Sequence, residues 1–166
     1  MKRWFMIVLS AAVLAAAPIR VGAQSPAAAW FDRLKGLAGT WQGKLSDGGE
    51  TVVSYRVASA GTAVIETIGE EGTGMVSVYT VDGNRILMTH YCSAGNQPRM
   101  AAKVTSADQK TLTFEFLDIT NLSSPEAMHI HGLAMTWVDA DHVTNVWTHR
   151  AGGKDGALEF ALTRKK

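Results

Sequence analysis

From Thr40 to Arg164, apolar and polar residues alternate with a period of two, interrupted at short intervals by Gly, Asp, Asn and Ser clusters. This is the pattern of many half-buried strands joined by turns. It predicts strands over Thr40–Leu45, Thr51–Ala58, Thr62–Ile68, Met75–Val81, Arg85–Cys92, Met100–Ser106, Thr111–Asp118, Met128–Val138, His142–Arg150 and Ala157–Arg164. Ahead of them, Ser25 and Pro26 read as N-cap and first helical residue, and Trp30, Leu34 and Leu37 recur at helical spacing. Gly36 and Gly39 end that segment, which predicts one short helix with a single apolar face. The pattern holds no second helix long enough for a crossover, so the strands should pair as an antiparallel meander. An all-β, up-and-down barrel of about ten strands follows, because closure leaves no free sheet edge.

The connections alternate in length. Ser59–Gly61, Asp82–Asn84, Ala107–Lys110 and Asp139–Asp141 are tight, whereas Ser46–Glu50, Gly69–Gly74, Ser93–Arg99, Ile119–Ala127 and Ala151–Gly156 are longer. In a meander, alternate connections fall at opposite ends, so one end should be tightly closed and the other should carry the long loops. The helix leads into the first strand at the tight end. Its Trp30/Leu34/Leu37 face should therefore plug that end, leaving the long-loop end as a mouth.

Composition places this barrel outside the cytoplasm. Met1 to Ala23 reads as a secretory signal, with Lys2 and Arg3 before an apolar run and Val21-Gly22-Ala23 as the cleavage site, leaving 24–166 as one domain. The apolar run is too short to remain as a membrane-spanning helix. The expected location is periplasmic or secreted. Cleavage removes Lys2, Arg3 and Arg20 from 16 basic residues and none of the 15 acidic ones, a balance of −2. A near-neutral domain gives no reason to expect a nucleic acid or an anionic membrane as partner. With one cysteine, Cys92, no internal disulfide can form, so the fold must rest on its core.

The segment Leu37-Ala38-Gly39-Thr40-Trp41-Gln42-Gly43 resembles the Gly-x-Trp start of the first strand in lipocalin-like (calycin) barrels, a group that includes fatty-acid-binding and nitrobindin-like relatives. The wider pattern FDRLKGLAGTW, MVSVYTVDGNRILMTHYCSAGNQPRM and HVTNVWTHR is similar to an uncharacterised family of secreted bacterial lipocalin-like proteins. The resemblance implies the barrel and brings no assigned activity with it.

Candidate chemistry collects at the mouth. Taking the bulkier apolar set of each strand as inward points Val53, Tyr55 and Val57, Ile86 and Met88, Met100, Phe114 and Phe116, Leu133, Met135 and Trp137, and Trp147 into the barrel. Continued toward the long loops, the same parity adds His90, Cys92, Asp118, His129, His131, Asn145 and His149. Pairing Val138 with His142 across the tight turn would set His131 directly opposite His149, close enough to share a ligand. Those two, with His90 or His129 as a third, form a candidate zinc set. The resemblance to nitrobindin-like barrels, together with the surplus histidines and Met100, admits a haem, although no Cys-x-x-Cys-His is present for covalent attachment. A reaction would use His90 or His131 as general base with Tyr91 or Arg99 holding an anionic or carbonyl group. No nucleophile elbow, carboxylate pair or phosphate-cradling loop accompanies them.

The reading that follows is a binding protein for a small apolar or amphipathic molecule. Its polar end would be held among His90, Arg99, Met100, His129, His131, Asn145, Trp147 and His149, with no cofactor required. The alternative is a zinc or haem barrel using His131 and His149, with or without catalysis.

Overall fold

In the computed structural model, residues 24–166 are described; the expected signal at 1–23 lies outside them. Helix α1 (Pro26–Lys35) precedes ten strands: β1 (Gly39–Leu45), β2 (Glu50–Ala58), β3 (Ala63–Ile68), β4 (Met75–Asp82), β5 (Arg85–Tyr91), β6 (Gln97–Lys103), β7 (Thr111–Thr120), β8 (His129–Trp137), β9 (His142–Ala151) and β10 (Lys154–Arg164). Each strand pairs antiparallel with its sequence neighbours, and β1 closes on β10. The result is the closed ten-strand meander that the alternation calls for.

The helix starts and covers as expected. Ser25 caps it, its side chain accepting from the Ala28 amide at 3.2 Å, and Pro26 occupies the first turn. Ala27, Trp30, Phe31 and Leu34 are buried. Trp30 packs edge-on to Trp137 with ring centroids 5.2 Å apart, and its indole N–H donates to the Ser106 carbonyl at 2.8 Å. Arg33 lies over the Trp30 ring and donates to the Gln109 carbonyl. Both carbonyls sit in the β6–β7 connection, so the helix seals the end opposite the long loops. Trp41 lies beneath it, fully buried, donating to the Leu37 carbonyl at 2.8 Å, with the Arg164 guanidinium 4.2 Å from its ring.

A tight three-residue turn, Ser59–Gly61, links β2 to β3 with left-handed backbone at Ser59 (φ 52°), Ala60 (φ 52°) and Gly61 (φ 88°). Left-handed geometry strains an alanine by about 1–2 kcal/mol, because Cβ crowds the following carbonyl. Ala60→Gly should therefore raise stability by about 0.5–1 kcal/mol once the extra entropy of the unfolded glycine is subtracted. Urea unfolding of the two proteins measures it, and a less stable glycine variant contradicts it.

Three departures from the simple alternation matter for the site. Strand β6 begins at Gln97 rather than Met100: the Gln97-Pro98-Arg99 run, read as loop, is strand, and Gln97 pairs with Thr120. Strand β7 carries a bulge. Met100 faces Phe116 while Arg99 faces Asp118, leaving Leu117 extra, so Asp118 moves to the outer surface instead of the interior. Strand β8 carries another, where Gly132 faces Thr148 but Ile130 faces His149, leaving His131 extra. The β9–β10 connection also proves tight, a Gly152-Gly153 hairpin with φ of 55° and 71°, which only glycine adopts in sequence without strain. Val57, expected inward, is 42% exposed.

Candidate functional site

The barrel interior contains a row of polar side chains on four adjacent strands. Tyr55 on β2 stands opposite Glu66 on β3, Glu66 opposite Ser77 on β4, and Ser77 opposite His90 on β5. All four are buried, at 3%, 0%, 0% and 1% exposure. Buried polar groups are tolerated only when hydrogen-bonded, and this row is largely so. The Tyr55 hydroxyl donates to one Glu66 carboxylate oxygen at 2.6 Å, and the Tyr79 hydroxyl to the other at 2.7 Å. Asn145 on β9 reaches in and donates from Nδ2 to the Tyr55 oxygen at 3.2 Å. Ser77 Oγ lies 3.0 Å from His90 Nδ1, and the His90 ring rests on Trp147 with centroids 5.0 Å apart.

Burial governs the protonation of these groups. It pushes the Glu66 carboxyl up from its ordinary value, against the stabilising bonds from Tyr55, Tyr79 and Ser77. Both phenols are pushed well above their usual range, first by burial and then by the carboxylate between them. Burial lowers His90 to about 4, so the imidazole is neutral at ordinary pH.

Three buried polar atoms of this layer have no partner: His90 Nε2, Asn145 Oδ1 and Trp147 Nε1. Directly beyond them lies the mouth. A cavity of about 310 Å³ there is lined by Met75, Cys92, Ser93, Met128, Ile130 and His149. Met75 precedes Ser77 by two positions, and Cys92 and His149 follow His90 and Trp147 by two, each with the same facing parity as its partner. The polar layer is thus the next level down, roughly 6.6 Å deeper along the strands.

Four of the eight sequence-predicted site residues belong neither to this layer nor to the lining of the mouth. His129 and His131 contact each other, His131 Nδ1 lying 3.3 Å from His129 Nε2, and both pack on Phe116, with His131 stacked at 4.5 Å. The β8 bulge is the reason. It turns Ile130, not His131, toward the core and breaks the expected His131–His149 pairing. The His131 pKa is lowered by burial and by the Arg150 charge nearby. Arg99 lies on the outer wall, its side chain 56% exposed and forked against Asp118. Met100 is fully buried opposite Met88, part of the packed core. His90, Asn145 and Trp147 form the polar layer, and His149 lines the mouth, its ring lying across Gly156.

Sequence reasoning missed Glu66, Ser77 and Tyr79. The signal was present: in Ala63-Val64-Ile65-Glu66-Thr67-Ile68, Glu66 shares its parity with Val64 and Ile68, which are buried at 1% and 6%. Among the described residues, no group of three His, Cys, Asp or Glu side chains is arranged to hold a metal ion. No helix among them is long and apolar enough to cross a membrane, which says nothing about strands.

Arg99 and Asp118 make a surface ion pair on the outer face, and such pairs contribute little because water screens them. Arg99→Ala should therefore leave ligand affinity at the mouth and the thermal midpoint unchanged; a several-fold affinity loss, measured by calorimetry, contradicts that placement.

No protein-family model and no curated protein matches the chain. Among solved structures the chain is similar to a redesigned β-barrel at 13% identity, covering 80% of this chain and 95% of that one, with a TM-score of 0.37.

Proposed function

We propose that the protein is an exported binding protein of the lipocalin-like kind, taking a small, mostly apolar molecule with one polar end through the long-loop mouth. The observation that carries this reading is the mouth cavity, walled by Met75, Cys92, Met128 and Ile130 and set directly above a polar layer with unpaired atoms. Its volume of about 310 Å³ lies at the small end of ligand pockets. Burying an alkyl group there is favoured by roughly 25 cal/mol for each Å² removed from water. The polar end is held one level deeper than the histidine rim expected from the sequence, by His90, Asn145 and Trp147. Another depression, lined by Val78, Leu87, Tyr91, Arg99 and Leu117, lies on the outer wall.

The metal and haem alternative rested on His131 facing His149 and on Met100. The bulge separates the first pair, and Met100 is enclosed in the core. No observation favours that alternative over the carrier.

Calorimetric titration of the mature protein with octanol tests the carrier. One site per chain is expected, with affinity falling at least about tenfold in Ile130→Trp, whose larger ring fills the cavity. Equal binding by a folded Ile130→Trp variant sinks the assignment. Gly156→Ala offers a second probe, because an added Cβ would stand 2.5 Å from His149 Nε2 and push that ring into the mouth. It should weaken octanol binding several-fold while leaving the fold intact.

A further inference from the structure

The three unpaired atoms differ in what they can do, and that difference selects a ligand. Trp147 Nε1–H can only donate. The Tyr55 hydroxyl spends its proton on Glu66, so the Asn145 amide donates to Tyr55 from Nδ2 and leaves Oδ1 without a partner. Asn145 Oδ1 can only accept. His90 Nε2 takes either role, according to whether Ser77 donates to Nδ1 or accepts from it. Asn145 and Trp147 lie two positions apart on one face of β9, and the His90 ring packs at a tilt on Trp147, so the three belong to one neighbourhood.

We propose that the mouth selects an uncharged alcohol, whose hydroxyl enters between His90, Asn145 and Trp147, accepting from the indole and donating to the amide oxygen. This rests on the carrier reading and names its ligand class.

The alternatives each leave something unpaired. A ketone accepts from Trp147 and offers nothing to Asn145. A carboxylate has no proton for Asn145 and would sit near Glu66, with no lysine or arginine buried among the described residues to offset either charge. An ammonium cannot accept from Trp147 and must shed its hydration for at most two neutral acceptors, Asn145 Oδ1 and His90 Nε2. Unmet buried partners are what make such discrimination large. The neutral state of His90 at ordinary pH agrees, since an imidazolium would have favoured a carboxylate.

The test is calorimetry at neutral pH with four ligands sharing one chain length: octanol, the methyl ketone, octanoate and octylammonium. Octanol should bind tightest, the ketone about threefold to tenfold weaker, and the two ions at least about tenfold weaker still. Trp147→Phe should weaken octanol and ketone alike. Asn145→Leu should erase the difference between them, provided its thermal midpoint shows a folded protein; otherwise the ranking on the unsubstituted protein and on Trp147→Phe decides. Equal affinities for all four, unmoved by Trp147→Phe, would mean that the polar layer holds internal water only. That result overturns the selection and leaves the apolar mouth standing. Octanoate binding tightest also overturns it. Failure of all four to bind removes the carrier reading itself.

Discussion

Replacing Glu66 by alanine should lower the stability of the protein by about 2–5 kcal/mol, because two buried phenol donors would lose their acceptor at once. Tyr55 and Tyr79 are 3% and 0% exposed, and each gives its only proton to this carboxylate. Neither can turn to bulk water. Removing one partner of a buried pair leaves the full desolvation penalty of the other, and here the penalty is doubled. Asn145 leans on Tyr55 in turn, so the loosened network should extend to the polar floor of the mouth. Urea unfolding measures the stability loss, and a change below about 1 kcal/mol would show that the row is not a bonded unit. Glu66→Gln is the informative companion. Burial raises the Glu66 pKa, so native Glu66 holds its proton to higher pH than in the unfolded chain. Its stabilising contribution is therefore fullest below the unfolded value and declines as pH rises above it. The Gln variant should lack that decline.

Stability should fall as pH drops from about 6.5 to about 4, and His90 should account for about 3 kcal/mol of the loss. In the folded protein the His90 pKa is about 4 because burial excludes the charged form. Unfolded, the same imidazole takes up a proton near its model value of 6.5. Across that window the unfolded chain binds more protons, so stability rises with pH: the contribution is complete above the unfolded pKa and vanishes on approaching the folded one. His131 is shifted in the same direction and adds to the slope. The difference between the protein and His90→Gln isolates the His90 part. Chemical denaturation at pH 7 and at pH 4.5 should show the substituted protein losing markedly less stability on acidification. Parallel losses would place His90 in contact with water.

The alternation of residues read the barrel well because the signal for a closed meander is distributed over the whole chain. Ten strands, the helix plug and the register from Trp137↔Val143 to Leu133↔Trp147 all follow from period-two patterning and one tight turn. The site was harder to read because it depends on where that period fails. A bulge inserts one residue without changing composition, so nothing in the string Met128-His129-Ile130-His131-Gly132 marks His131 as the extra residue. The same applies at Leu117, which sends Asp118 outward to Arg99. Parity beyond each bulge was therefore inverted, and the expected histidine cluster dispersed. Pro98 hid the start of β6 because proline lacks a ladder donor, yet it is buried there and faces Ile119. Glu66 is the opposite case. Its inward parity was visible between Val64 and Ile68, but a lone carboxylate reads as outward unless its two tyrosine donors are recognised as sharing that interior.

Amide and indole chemical shifts of the isotope-labelled protein, followed by NMR during titration with octanol, test the binding site directly. The expected result is a single saturating set of changes centred on Cys92, Ile130 and His149, together with the indole N–H of Trp147, and little change at α1 or along the outer wall carrying Arg99. Changes confined to the outer wall or to the helix end, or no saturating change at all, would contradict a ligand entering through the mouth to the polar layer.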